Sequence, residues 1–313
     1  MDIGYDLIGD IHGHCNELVK LLKHLGYHDS PTGYQHPNRK VIFLGDFIDR
    51  GEKLREHKSL LNLVMTMVRN DHAMAVMGNH EFNALAFHTE HNGLPLRPHT
   101  PKNIKQHKAF LNEYNDDPIG KQEVLEFFME LPLWIEFDNL RIVHACWHDE
   151  YIQWANAHLP ERQITPEFLV EASTKGTMAY KAIETLLKGV EVKLPDGITF
   201  ADKDGHTRSE VRVQWWRRDA RTLGDVALPF GVDIGHAADL DIPSDIPVYP
   251  SNASPCFIGH YWLHGEPSPL APNIACLDYS IAKDGKLVAY RWNGETVLKD
   301  SGFTYSEAPT HTD

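Results

Sequence analysis

The chain has little that would place it in a membrane or in an oxidising compartment. No stretch of its 313 residues approaches the roughly 18 consecutive apolar residues of a bilayer span. The opening MDIGYDLIGD has neither the basic start nor the apolar run of a secretory leader. Cysteine is scarce. Cys15, Cys146, Cys256 and Cys276 are scattered without a CxxC pair, which reads as reduced thiols in a cytoplasmic protein. Positive charge is in the minority, 30 Lys and Arg against 44 Asp and Glu, for a formal net charge of −14. That balance argues against stable nucleic-acid binding, which needs a basic footprint. Phosphorylated substrates stay open, because metal ions and arginines can reverse the sign inside a pocket. Repeats and low-complexity tracts are also missing. Histidine, by contrast, is abundant at 20 residues, so no single His is informative alone.

The pattern of apolar residues predicts a mixed α/β fold. YDLIGD, KVIFLGD and AMAVMGNH read as buried strands, separated by helices. The first helix carries Leu18, Leu21, Leu22 and Leu25 at helical spacing and stops at Gly26. The second runs from about Leu54 to Arg69 with Leu60, Leu61, Val64 and Met67 on one face. This β-α-β-α-β order implies a parallel sheet. LWIEFDNLRIVHA reads as two strands about an Asp138-Asn139 turn, and PCFIGH, NIACLDYS and GKLVAYRW as later strands. The expected architecture is two mixed sheets in a sandwich with helices outside. Residues 88–107, rich in His and Pro, read as a polar surface excursion. Residues 151–252, with a hairpin-like VKLPDGITF, read as a cap inserted into a single domain over 1–313.

Five apolar runs each end in metal-competent residues. The first ends in GDIHGH, where Asp10 and His12 project to one side of the strand end. The second ends in GDFIDRG, with Asp46 placed as Asp10 is, and Asp49 and Arg50 close behind. Two carboxylates at neighbouring strand ends repel unless cations lie between them. The third ends in GNHE, offering the Asn79 amide oxygen and the His80 imidazole, with Glu81 as a local structural acceptor. LRIVHA ends in His144 and CFIGH in His260. Carboxyl ends of strands are where open α/β sheets hold ligands.

GDIHG, GDFIDRG, GNHE, VHA and GH in this order resemble the calcineurin-like metallophosphatases. The closer likeness is to their phosphoprotein phosphatase branch, which includes bacterial and phage protein phosphatases and symmetrical bis(5′-nucleosyl)-tetraphosphatases. The resemblance implies the family's sandwich fold and a pair of divalent metal ions, manganese first, with iron or zinc as alternatives. It implies that Asp10 and His12 bind one metal, Asp46 bridges, and Asn79, His144 and His260 complete the other, with Asn79 also facing substrate. A metal-bound hydroxide would attack phosphorus in line, His80 would protonate the leaving oxygen with Asp49 orienting it, and Arg50 would bind phosphoryl oxygens. Bacterial and phage members carry a further phosphate-binding Arg after Trp-x, which selects Arg217 in VQWWRRDA ahead of Arg218.

Three functions follow as alternatives: a phosphomonoesterase acting on phosphorylated Ser, Thr or Tyr in proteins, a symmetrical dinucleoside polyphosphate hydrolase, and a silent phosphate- or protein-binding module. The substrate is accordingly a phosphoprotein, a small phosphate ester or a nucleotide. Cys146 is expected to be a protonated spectator near the centre and an oxidation liability. His148 and the excursion histidines remain possible substrate contacts. Trp147, Trp154 and Trp262 could form an aromatic wall.

Overall fold

Short apolar runs alternating with helical spacing fold as the parallel unit that the sequence predicts. The computed structural model describes residues 3–50, 56–201 and 207–308. Strands β1 (Gly4–Ile8), β2 (Arg39–Phe43) and β3 (Ala73–Ala75) lie side by side and parallel. Leu7, Ile8, Val41, Ile42 and Phe43 have no exposed surface, as befits strands covered on both faces. Between them, α1 (Cys15–His24) turns Leu18, Leu21 and Leu22 inward, and α2 (His57–Arg69) buries Leu60, Leu61, Val64 and Met67. The expected start of α2 at Leu54 lies outside the described residues. The register is what matters for function. Ile8 sits opposite Phe43 and Phe43 opposite Ala75, so the three strands end level and their loops leave along one edge.

The excursion lies on the surface, as expected, with 90–94 and 98–102 exposed, but it is regular rather than a loop. After α3 (Asn79–His88), β4 (Glu90–His91) and β5 (Leu94–Pro95) form a small hairpin, and α4 (Pro101–Tyr114) and α5 (Pro118–Glu130) follow. Thr100 caps α4 and Pro101 opens it. His107, Phe110 and Tyr114, at helical spacing, form its buried face, so a His on an apolar stripe was mistaken for surface.

β6 (Trp134–Phe137) and β7 (Leu140–Val143) form the expected hairpin. The cap region opens with α6 (Asp149–His158), α7 (Pro166–Ala172) and α8 (Met178–Lys188), whose Ile152, Leu169, Ile183 and Leu186 join the main core. It continues with β8 (Glu191–Lys193), β9 (Phe200–Ala201), β10 (Thr207–Arg208), β11 (Glu210–Val213), α9 (Leu223–Val226) and β12 (Ala227–Leu228). VKLPDGITF is not a hairpin. Val192 pairs with Val211 and Phe200 with Arg208, because each arm finds a partner beyond the Pro195 turn. Leu194, Val211, Val213, Leu223 and Val226 form a separate small core.

β13 (Cys256–Ile258) joins β7 and β14 (Ile274–Cys276) in a second sheet of order β14-β13-β7-β6. NIACLDYS, read as one strand, is divided. Past Leu277, β15 (Asp278–Tyr279) crosses to β16 (Lys286–Trp292) of the first sheet, which β17 (Phe303–Glu307) extends. The order there is β15-β16-β1-β2-β3. Phe257 against Tyr290 (5.0 Å) and Tyr5 against Phe137 (5.3 Å) close the sandwich. Among the described residues no helix is long and apolar enough to cross a membrane.

Candidate active site

Five strand ends converge at one place. Asp10, His12, Asp46, Asn79, His80, His144 and His260 are each at most 7% exposed. The loops that carry them are forced into uncommon backbone. His12, Asp46, Asp49, Arg50, His260 and Trp262 all have positive φ, six of the twelve such non-glycine residues among those described. Left-handed backbone is sparsely populated for residues with a Cβ and clusters where function over-determines it. Two glycines make the approach possible. A Cβ on Gly45 (φ 89°) would lie 2.4 Å from the Gly78 nitrogen, and one on Gly259 would lie 2.1 Å from Asp10 Oδ1.

Asp46 Oδ2 is the centre of the arrangement. It lies 3.4 Å from His144 Nε2, 3.8 Å from His12 Nε2 and 4.0 Å from His80 Nε2. Asn79 Oδ1 lies 3.3 Å from His144 Nε2 and 2.6 Å from His260 Nδ1. Backbone carbonyls set two of the rings. Ile48 O accepts from His12 Nδ1 at 2.8 Å and Leu44 O from His144 Nδ1 at 2.7 Å, which turns both Nε2 atoms inward. Asp10 accepts the His260 N–H at 3.2 Å.

The donors fit cations. His12, Asp46 and His80, and separately Asp46, His144 and His260, each bring ligand atoms within 4.8 Å of one another. The buried Nε2 atoms of His12 and His260 have no hydrogen-bond partner among the described residues, although buried polar atoms ordinarily do. Burial, then the Asp278 carboxylate, holds the Asp10 pKa well above its ordinary value. Burial works against charging His144, yet Asp46 beside it pushes that imidazole up to about 10. Burial pushes His12 down to about 3. So many buried acids and imidazoles around one point is costly without positive charge among them. Oxygen and imidazole donors without a thiolate suit divalent ions of the manganese, iron and zinc kind.

A second set of side chains stands behind His80. Its Nδ1 is 2.8 Å from Asp49 Oδ2, and His107 Nδ1 is 2.8 Å from Asp49 Oδ1. Burial opposes ionising Asp49, but His107 and His80 outweigh it and hold the carboxyl below the usual range. Among the excursion histidines the sequence offers His107 only as a possible substrate contact, not as a partner of Asp49; the signal for its burial is the helical spacing with Phe110 and Tyr114. Glu81 is the structural acceptor expected of it. Fully buried, it accepts the N–H groups of Asp46, Phe47 and Gly78 at 2.8–3.0 Å, pinning the second loop to the third. Glu81→Ala strands these donors and is expected to destabilise the fold by about 3 kcal/mol or more. Thermal unfolding should show Tm lower by about 6–10 °C, and a shift below about 1 °C would sink the assignment.

Beside the centre lies a cavity of about 720 Å³. Arg50, Arg208, Arg212, Trp262, His264 and Lys283 are among the residues lining it. The Arg50 guanidinium stacks on Trp262 at 4.5 Å, and Lys283 lies 4.5 Å from the same ring. Trp262 is held by its backbone N–H to the buried Asp278 carboxylate (2.7 Å). The structure does not bring Arg217 to this cavity. That side chain is exposed, donates to Asp225 O at 3.0 Å and faces Asp219. Arg218 is committed to Tyr249 O and Asn273 Oδ1. Two cap arginines, Arg208 and Arg212, do line the cavity. Arg212 has a buried Nε without a partner among the described residues, and its Nη2 donates to Glu191 Oε1 at 3.1 Å. It sits on β11, where strand alternation aims it opposite to Val211 and Val213.

The IVHACWHDE cluster separates. His144 joins the centre, whereas His148 stacks on Tyr151 at 4.2 Å. Of the three tryptophans, Trp262 alone lines the cavity; Trp147 takes Arg141 on its face and Trp154 stacks on His158. Cys146 is fully buried, and burial, then Cys256, pushes its thiol well above the ordinary value. It is the protonated spectator expected, but its full burial argues against an oxidation liability.

Residues 5–194 match the family model of the calcineurin-like phosphoesterases, and the chain belongs to that family, whose members are metal-dependent hydrolases. It is similar to the asymmetrical bis(5′-nucleosyl)-tetraphosphatase of Oceanobacillus iheyensis, 29% identical over 141 residues covering 45% of this chain and 54% of the relative. The counterpart from Halalkalibacterium halodurans is 31% identical over 144 residues, covering 45% and 56%. The chain thus spans about half the length of the curated relatives it matches. Its fold is like that of a protein serine/threonine phosphatase from Saccharomyces cerevisiae, with a TM-score of 0.52 at 13% identity, covering 100% of this chain and 82% of the other.

Proposed function

We propose that this chain is a two-metal hydrolase of phosphoric esters and anhydrides whose substrates are nucleoside polyphosphates, with manganese as the metal. Asp10 and His12 would hold one ion, Asn79, His144 and His260 the other, and Asp46 would contribute to both. The observation that carries this is the position of Asp46 Oδ2 between two donor groups, beside a cavity whose lining includes Arg50, Arg208, Arg212, Lys283 and aromatic side chains as well as Glu191, Glu210 and Glu266. Divalent ions bound there neutralise phosphoryl oxygens and activate water. Arg50 and Arg212 grip the phosphate, and Trp262 keeps Arg50 in place. His80, held through Nδ1 by Asp49, gives its Nε2 proton to the leaving oxygen as the P–O bond breaks. A volume of about 720 Å³ suits a small-molecule ligand. The relatives' names favour asymmetrical cleavage over the symmetrical cleavage considered from sequence. We read the chain as one such domain; the small core of β8, β11 and α9 supports a cap from β8 onward, while α6, α7 and α8 pack into the main core.

Phosphomonoester hydrolysis on proteins is the second reading, favoured by the exposure of Arg208 and His264 on the cavity wall. Diadenosine tetraphosphate, p-nitrophenyl phosphate and a phosphoserine peptide assayed side by side with manganese decide between them. The expected result is the highest kcat/KM for the dinucleotide, with ATP and AMP as products. Preference for the peptide overturns the substrate class, and inactivity with every divalent metal revives the binding module. Arg212→Ala should lower kcat/KM about 10–100-fold, as for lost bonds to a charged group. Arg217→Ala should change it less than about twofold, being an exposed substitution.

A further inference from the structure

His107 is a buried polar group that the chemistry above leaves without a task. It is 4% exposed, on α4, 58 residues from Asp49 in the chain. Its ring is boxed in, stacked on Phe110 at 4.8 Å and tilted against Phe87 at 5.1 Å. An ionised carboxylate only accepts hydrogen bonds. Both Nδ1 atoms that meet Asp49 must therefore carry hydrogen, His80 on Oδ2 and His107 on Oδ1. A carboxylate held at one oxygen alone can swing about its own bond; held at both, it cannot. His88 Nε2 lies 3.1 Å from His107 Nε2, so both nitrogens of the His107 ring are engaged. Burial, then His107 itself, pushes His88 down to about 4, which makes it an uncharged partner at neutral pH.

We infer that His107 is a positioning residue for proton transfer: through Asp49 it fixes the direction of the His80 ring and keeps hydrogen on its Nδ1, so that the proton His80 gives up is the one on Nε2. The inference rests on the proposed hydrolysis, in which His80 protonates the leaving group. In that step water oxygen adds to phosphorus, the bond to the leaving oxygen breaks, and that oxygen takes the Nε2 proton of a His80 ring that carries hydrogen on both nitrogens; the water's protons leave with the phosphate, and a proton from solvent restores the ring. Phenyl phosphate, whose leaving group is strongly basic, needs the proton; 2,4-dinitrophenyl phosphate does not.

The test compares both esters with the manganese-loaded parent, His107→Phe and His107→Asn. Phe keeps the packing on Phe110 and Phe87 but removes the donor. Asn places an N–H where Nδ1 stood. His107→Phe should lower kcat for phenyl phosphate about 10–100-fold, with KM and the dinitrophenyl kcat within about threefold. His107→Asn should restore most of the loss. Equal losses on both esters, no loss on either, or no restoration by Asn overturns the inference. Should His107→Phe fail to fold, His107→Leu replaces it with the same expectations. An independent readout is nitrogen-15 histidine NMR of the metal-free protein, where the His80 Nδ1–H resonance should be slow to exchange in the parent and fast in His107→Phe. If the parent cleaves neither ester while this NMR difference is present, the hydrolase reading fails and the positioning contact stands. If the resonance exchanges equally in both, the positioning role fails.

Discussion

Asp46→Asn is expected to lower turnover of p-nitrophenyl phosphate about 10³-fold, the equivalent of about 4 kcal/mol of lost electrostatic stabilisation. It should also cut bound manganese from two ions per chain to at most one. The reason is local. Oδ2 of Asp46 is the one atom that faces His12, His144 and His80 together, at 3.8, 3.4 and 4.0 Å. Asn removes the negative charge and can point an N–H₂ group at the place a cation would share. The fold should survive. Asn is among the residues that best tolerate left-handed backbone, and Asp46 sits at φ 51°. Its Oδ1 can still accept the His80 N–H, now 2.9 Å away. Loss of activity with unchanged Tm is therefore the expected pattern. Full activity with two ions retained would remove Asp46 from the shared position.

His80→Ala is expected to reduce turnover about 10²–10⁴-fold on esters with basic leaving groups, the range of general acid catalysis. Bound manganese should stay at the parental level. The metal count is informative because geometry permits another role: the His80 Nε2 lies close enough to His12 and Asp46 to complete a donor group with them. Its hydrogen bond to Asp49 orients the ring equally well for a ligand or for an acid. If an ion is lost with the imidazole, His80 belongs to the ligand set and some other group must supply the proton. If the ions remain and the loss grows with leaving-group basicity, the acid role holds.

How much of this could be read from the chain depended on distance along it. GDIHGH, GDFIDRG and GNHE each join a strand to its own loop within a few residues, and the parallel β-α-β rule brings those strands side by side. His144 and His260 were legible for the same reason, each ending an apolar run. Arg217 was chosen from a two-residue context. The cavity is lined instead by Arg208 and Arg212, since the pleat of β11, paired with β8 and β12, and not the neighbouring tryptophans, sets which way Arg212 faces. The continuous apolar run NIACLDYS hid a crossing between sheets for a similar reason: periodicity reports burial, and both sheets bury it.

By itself, then, the sequence determined the strand–loop units, the donor types and the need for positive charge among them, because these follow from local spacing and from the chemistry of carboxylate and imidazole. Only the tertiary structure decided that α4 folds His107 onto Asp49, that Asp278 holds Trp262 over Arg50, and that Arg212 lines the cavity. Those contacts join residues 16 to 58 or more positions apart. They exist because buried polar groups must find partners wherever packing places them, and no short-range pattern encodes which partner that will be.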